Sequence, residues 1–434
     1  MSIRNDDIYF DWKRIKSFKS RPTLQGVTPS YPTRLYMNDF CINPFNRHFY
    51  VVGSELADLN EDSVQNFLWV VYRSKDEGKN WEIVDSSPLD DHKFDNVNNN
   101  HGEPSCYSQA KCIAFDSSGS VYVCGTVSTG SLYGIAIVRK SLTGDDGSWY
   151  YGDAYGDANG AGYCYPSIAV DNNDHVYVVM SDYGHDTRII RRSMSHGESG
   201  SFITVSSSEG GDNDGFNFVK FVNSGSGVLF FGGQIKINNV NSASLQICTN
   251  LPATSSNIYT VCTTGTIGFA EGGFQSVEYN TNTNTFYAIA SHLISPTPSV
   301  FSSSEGLIWS NIENSWDEPP SIYNKLYNPK SIATSRDGKS VFYARNCSLG
   351  SVGEYSDTLT SHTSGSWFAL SEDFGKYNSF FAPSFQMLYN NSETGDFYEV
   401  FDISKIVVDV NDDIYVLGNS SPHDFPRYHY MQPE

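Results

Sequence analysis

The sequence predicts an all-β fold, a seven-bladed β-propeller of four-stranded antiparallel blades closed by an N-terminal strand that completes the last blade. Three observations predict it. A two-strand unit recurs seven times along the 434 residues. Its copies are spaced roughly 50–70 residues apart, room for four short strands each, which is the mark of a propeller. No segment of useful length shows a helical period that would compete.

The units follow in order. They read CINPFNRHFYVVG from Cys41, KCIAFDSSGSVYVCG from Lys111, PSIAVDNNDHVYVVM from Pro166 and VKFVNSGSGVLFFGG from Val219. Three more follow: QSVEYNTNTNTFYAIA from Gln275, KSIATSRDGKSVFYAR from Lys330 and SKIVVDVNDDIYVLG from Ser404. Both runs of each unit are rich in Val, Ile, Phe and Tyr, which suit strands. The turns between them are Asn, Asp, Ser and Gly, which accept tight or left-handed backbone. Aligning the second runs gives anchors at Tyr50, Tyr122, Tyr177, Leu229, Tyr287, Tyr343 and Tyr415.

Outer strands can also be placed. Blade one has FLWVVYRS from Phe67 and WEIV from Trp81; blade two has YGIAIVRKS from Tyr133 and WYY from Trp149. Blade three has TRIIRRS from Thr187 and SFITV from Ser201, and blade four has ASLQICT from Ala243 and IYTVC from Ile258. Blade five has SVFSSS from Ser299 and a strand at Trp309; blade six has a weaker pair at Val352–Leu359 and Trp367–Leu370. Blade seven has room for one further strand, around Arg427–Met431, so Ile8–Trp12 is expected to supply its outer strand. Residues 1–434 therefore read as one domain, with 371–402 as a long inter-blade insertion.

Composition narrows the function. Hydrophobic residues at 39% and aromatics at 14% argue against disorder. The net charge of −21, from 28 basic and 49 acidic residues, repels phosphate backbones and anionic lipid, so nucleic acid is not an expected partner. No run is apolar enough for membrane insertion. The eight cysteines form no CxxC pair, and zinc is not expected. Cys112 and Cys124 read as small buried hydrophobes. The opening MSIRNDDIYFDWKRI lacks the apolar core of a signal peptide, which leaves a virion or extracellular location reached by another route, or the cytoplasm.

One motif is specific. Ser74-Lys75-Asp76-Glu77-Gly78-Lys79-Asn80-Trp81 fits S-x-D-x-G-x-x-W. Degenerate copies follow at Thr143-x-Asp145-x-Gly147-x-Trp149, Ser302-x-Ser304-x-Gly306-x-x-Trp309 and Ser361-x-Thr363-x-Gly365-x-Trp367. The pattern resembles the Asp-box, or BNR repeat, of sialidase-like propellers, as whole-chain architecture but only in these short stretches as motif. The resemblance implies a structural role for the box, in the hairpin between third and fourth strands, on the ring face away from the active site. The longer loops of the other face, 84–110, 151–165, 206–217, 310–328 and 371–402, are then the expected seat of function.

Sialidase chemistry itself does not carry over. Members of that family hold a substrate carboxylate with three arginines from separate blades. Here Arg21-Pro22 and Thr33-Arg34-Leu35 fit the family's first-arginine motif poorly, and no arginine lies between Arg192 and Arg336. Lysine lacks the bidentate fork. Other glycosidases need two carboxylates at a set separation. Candidates on the long loops are Glu103, Asp153, Asp157, Glu209, Asp212, Asp214, Glu271, Asp317 and Glu318, each of which also reads as a solvated loop acid.

The same loops are aromatic. Tyr107, Tyr155, Tyr165, Phe216, Trp316 and Tyr327 are the candidate binding residues, since exposed rings among Asn, Asp and Gly suit sugars and protein interfaces alike. No catalytic residue is assigned. No cofactor is expected, with calcium at Asp212 and Asp214 as the alternative. The composite expectation is a non-catalytic propeller that binds a glycan or a host- or cell-surface ligand, as a virus or phage component within a larger assembly. The alternatives are a polysaccharide-acting glycoside hydrolase or lyase, and a purely structural assembly platform.

Overall fold

A computed structural model describes residues 34–58, 65–86, 106–129, 134–156, 163–182, 187–209, 215–237, 240–263, 273–290, 299–311, 326–327, 331–336, 341–347, 366–372, 376–381, 388–391, 395–398 and 400–421. Blade one is β1 (Arg34–Ile42), β2 (Phe49–Asp58), β3 (Gln65–Ser74) and β4 (Glu82–Ser86). Blade two is β5 (Cys106–Phe115), β6 (Val121–Thr129), β7 (Gly134–Ser141) and β8 (Trp149–Tyr155). Blade three is β9 (Tyr163–Val170), β10 (Val176–Asp182), β11 (Thr187–Ser193) and β12 (Ile203–Glu209). Blade four is β13 (Gly215–Val222), β14 (Val228–Ile237), β15 (Val240–Cys248) and β16 (Tyr259–Thr263). Blade five is β17 (Phe274–Asn280), β18 (Thr285–Ala290), β19 (Ser299–Ser303) and β20 (Ser310–Asn311). In the sixth, β21 (Leu326–Tyr327) and β22 (Ile332–Thr334) both pair β23 (Val341–Cys347), followed by β24 (Ser366–Glu372) and β25 (Lys376–Phe381). Two hairpins complete the chain: β26 (Leu388–Asn391) with β27 (Gly395–Tyr398), and β28 (Val400–Val408) with β29 (Ile414–Ser421).

The blades are antiparallel, as expected, but they number six and not seven. The repeat that suggests seven marks only the two inner strands of a blade. In the last repeat those strands form the β28–β29 hairpin, with no third-strand run behind it among the described residues. Its expected outer strands, Ile8–Trp12 and Arg427–Met431, lie outside the described residues. The sixth blade also differs from expectation. Trp367–Leu370 belongs to β24, which pairs β23 directly as the third strand, and β25, within the supposed insertion, is the fourth.

The first strands pack in succession around the ring: β1, β5, β9, β13, β17, β22 and β28, which returns to β1. The β28–β29 hairpin thus fills the interval between blades six and one. Phe49 meets Phe40 and Tyr415 edge to face there, its ring centroid 5.1 Å from that of Tyr415.

Period-two alternation decides which neighbour each side chain packs against. On β6, Val121, Val123 and Val127 join a core with Tyr50, Val52 and Trp69 of blade one. Tyr122 and Cys124, which alternate with them, join Val176 and Val178 of blade three. A strand sandwiched on both faces must be apolar throughout, which is why the inner runs read as unbroken hydrophobic stretches. Burying one such ring stabilises the fold by roughly 1.5–3 kcal/mol.

The inner turns repeat one device. Asp116 Oδ1 accepts Ser118 N at 3.0 Å and Ser120 N at 2.9 Å. Asp171 Oδ1 accepts Asn173 N at 2.8 Å and His175 N at 3.0 Å, and Asp409 Oδ1 does the same for Asn411 N and Asp413 N. These carboxylates close turns, as Asn43 and Asn280 do with their amide oxygens. Among the described residues no helix is long and apolar enough to cross a membrane.

Candidate functional site

Much of the long-loop face lies outside the described residues. That includes Trp316, Asp212 and Asp214, and the candidate acids Glu103, Asp157, Glu271, Asp317 and Glu318. Tyr107, Tyr165 and Tyr327 fall on β5, β9 and β21, with only their backbone described. Two predicted binding rings are described in full. Phe216 is a core residue, 5% exposed, between Phe231 and the Arg188 guanidinium. Tyr155 is half-buried under Arg191, whose Cζ lies 4.3 Å from the ring centroid. Asp153, a candidate catalytic acid, is taken up by the same arginine, at 2.6 Å from Nε.

The opposite face is described in detail. Ser74 Oγ donates to Asp76 Oδ1 at 2.8 Å and accepts Gly78 N at 2.8 Å. Asp76 accepts both nitrogens of Asn80, and Trp81 Nε1 donates to Gly78 O at 2.8 Å. The bonds from Asn80 hold the Asp76 carboxyl below its ordinary range. In blade two, Ser141 Oγ accepts Gly144 N at 2.7 Å, while Thr143 Oγ1 accepts Asp145 N at 3.2 Å. In blade five the accepting hydroxyl is that of Ser303, the neighbour of Ser302, and Trp309 Nε1 donates to Gly306 O at 3.0 Å. Blade three carries a turn of the same kind that the motif search passes over. Ser193 Oγ accepts Ser195 N and Gly197 N, with Phe202 buried where the others place Trp.

These turns dock blades onto one another. A Cβ added to Gly144 would stand 2.3 Å from Tyr50 Oη. One added to Gly197 would stand 2.8 Å from the Tyr122 ring. Each turn therefore rests on the aromatic anchor of the preceding blade. The same contact shows that the blade-four anchor is Phe230, not Leu229, because Gly306 lies against the Phe230 ring.

Cations at the ends of third strands complete the seams. Arg73 Nη2 reaches Asp145 Oδ1 in the turn of blade two at 2.7 Å. Lys140 Nζ reaches Glu198 in the turn of blade three at 2.7 Å, and Arg192 Nη1 reaches Ala253 O in the turn of blade four. One residue earlier, Arg139 and Arg191 point back. Arg139 forks onto Asp85 of blade one at 2.8 Å through both nitrogens, and Trp69 Nε1 donates to the same carboxylate at 3.0 Å. Arg191 forks onto Asp153 of blade two. The sequence signal is the ending Arg-Ser, Lys-Ser or Arg-Ser of three successive third strands, Arg73-Ser74, Lys140-Ser141 and Arg192-Ser193.

The inner ring holds a second group that sequence reasoning missed. The first strands of blades one to five and of the hairpin are each bulged, as at Met37/Asp39, Ala110/Cys112 and Ile403/Lys405. A bulge re-aims the residue that follows it. Asp39 Oδ2 thereby accepts Ile113 N of blade two at 3.1 Å, and Ser167 Oγ accepts Val219 N of blade four at 3.1 Å. Each satisfies a strand edge that would otherwise face the ring axis unpaired.

Lys405 Nζ lies 3.0 Å from Asp39 Oδ1, and Lys220 pairs with Glu278. Burial alone would lower the Lys405 ammonium, but the charge and hydrogen bond of Asp39, together with the neighbouring Cys41 and Cys112, hold the amine above its usual range. Burial, reinforced by Asp39, pushes the Cys41 thiol up. Among the described residues no three His, Cys, Asp or Glu side chains converge as a metal ion would require.

No family model and no curated protein sequence matches the chain. Solved structures resemble it in fold. The Hadza microbial sialidase Hz136 is 12% identical at a TM-score of 0.41 over 71% of this chain, which spans 62% of that protein's length. The α-L-arabinofuranosidase Arb93A from Fusarium graminearum is 13% identical at 0.41, covering 74% of this chain and 89% of its own. Sqt1 from Saccharomyces cerevisiae is 11% identical at 0.45, over 88% of this chain and 81% of its own.

Proposed function

We propose that this chain is a non-catalytic binding propeller that presents a glycan or other surface ligand to the long loops of one face. The observation that carries the reading is the employment of its charged side chains. Arg47, Arg73, Arg139 and Arg191 are each bound to a protein carboxylate, and Arg192 and Arg336 to backbone carbonyls. These six arginines are thus held by protein groups and not free to fork a substrate carboxylate. Asp39 and Glu278, on the first strands of blades one and five, are each paired with a lysine. A glycosidase acid/base pair would need carboxylates free to exchange protons. A place in a virus or phage particle rests on composition alone and is a further part of this proposal.

The test is binding of the purified chain to a broad glycan array, with and without calcium. Selective binding to one sugar class supports the reading. Uniform absence of binding rejects a glycan ligand and transfers the long-loop face to a protein partner.

A further inference from the structure

Two thiols stand directly opposite one another on adjacent strands, Cys112 on β5 and Cys124 on β6. Opposed residues of an antiparallel pair have Cα atoms about 4.5–5.5 Å apart. That separation falls within the ~4.4–6.8 Å window of a disulfide. Both belong to the packing between blades two and three, where Cys112 Sγ lies 3.9 Å from Ile168 O.

Their surroundings differ in a useful way. Cys124 is fully buried and donates to Pro166 O of blade three at 3.3 Å. Cys112 follows the bulge of β5 on the inner ring and is only half-buried, with Ser167 Oγ 3.7 Å from its sulfur. The neighbouring Cys124 draws the Cys112 thiol below its ordinary range, while burial drives Cys124 well above. The member that solvent reaches is thus the better nucleophile, and the buried member is placed to resolve.

We propose that Cys112 and Cys124 form a redox-active dithiol that closes to an intramolecular disulfide on meeting a low-molecular-weight disulfide. The Cys112 thiolate attacks one sulfur of the small disulfide, forms a mixed disulfide and expels a thiolate. Cys124 then gives up its proton, and its sulfur attacks Cys112 Sγ and expels the second thiolate. Two protein thiols are oxidised, one small disulfide is reduced, and the two protein protons end on the two released thiols. A bridged Cys124 has no proton to donate, so Pro166 O loses this donor, and the seam between blades two and three registers the oxidation. Cys41 stands apart, bonded to Ile113 O and held protonated by its burial.

The experiment uses the folded full-length chain and bis(2-hydroxyethyl) disulfide. After an acid quench, the protein is denatured in iodoacetamide and digested with trypsin. Cleavage after Lys111 and Arg139 releases one peptide, Cys112–Arg139, that contains both thiols and no other cysteine. The expected product is that peptide unalkylated and two hydrogens lighter than the dithiol. The Cys124→Ser variant should stop at a mixed disulfide on Cys112. Recovery of the wild-type peptide with both thiols alkylated, or with Cys112 joined to Cys41, overturns the proposal. The wild-type reading decides the matter even where the variant does not fold.

Discussion

The guanidinium of Arg73 meets the carboxylate of Asp145 at 2.7 Å across the seam between blades one and two. The arginine is 2% exposed and the acid 54%, so a buried cation reaches out to a surface turn of the next blade. The bond from Arg73 holds the Asp145 carboxyl down at about 2. A depressed carboxylate contributes stability that is present above its unfolded value near ~4 and is lost as pH falls through the folded one. Urea midpoints of the wild type and Asp145→Asn should therefore differ at about pH 6 and converge between about pH 4 and pH 2. A constant difference over that window would show that the charge plays no part. Arg73→Met should cost roughly 1–3 kcal/mol at neutral pH in the same measurement.

Two glycines of one turn should respond differently to alanine. Both Gly144 and Gly147 have positive φ, 71° and 74°. Gly147 has nothing near its missing Cβ, whereas Gly144 abuts Tyr50. Gly147→Ala should cost only the backbone term, about 1 kcal/mol. Gly144→Ala should cost clearly more, because the turn must lift from its anchor. Equal losses in thermal or denaturant midpoint would contradict the docking role assigned to these turns.

The Arg139–Asp85 fork is nearly dry, with side chains 7% and 4% exposed. Asp85→Ala removes the carboxylate that compensates a buried guanidinium and should destabilise by about 3–5 kcal/mol. Arg139→Met combined with Asp85→Leu should cost much less than the sum of the single changes. A double-mutant cycle measures the coupling, and additive losses would mean that the fork contributes nothing of its own.

What could be read from the sequence follows from how local each signal is. The inner hairpins announce themselves because both faces of strands such as Val121–Thr129 are buried, so hydrophobic run and turn chemistry coincide. The number of blades does not, since a blade also needs two outer strands, and those of the seventh repeat carry no pattern of their own. The shift of the blade-four anchor from Leu229 to Phe230 has the same origin. Three aromatic or aliphatic residues in a row satisfy either register, and only the contact with Gly306 in the next blade decides between them. Asp39, Lys405 and Cys41 were illegible because a bulge turns them toward residues of other blades. Phe216 looked like a loop aromatic, and tertiary packing between blades three and four claims it.

Ring closure by the β28–β29 hairpin rests on two ion pairs of similar burial. Arg47, 36% exposed, meets Asp409, 2% exposed, at 2.9 Å, and Lys405, 31% exposed, meets Asp39, 6% exposed, at 3.0 Å. Arg47→Ala should cost no more than about 1 kcal/mol. Lys405→Met should cost a similar amount, since Asp39 still accepts Phe40 N and Ile113 N. Hydrogen exchange of the β28 amides should show little loosening in either single variant and clear loosening in the double variant, and unchanged protection in the double would contradict the closing role of the pairs.

The proposed function is tested most directly by turnover on whichever glycan the chain binds. The measurement is release of new reducing ends, or of unsaturated products, from that glycan over a long incubation with stoichiometric protein. Binding without any release is the predicted result. Release that disappears on substituting a carboxylate of the long-loop face would contradict it and make the chain a polysaccharide-cleaving enzyme.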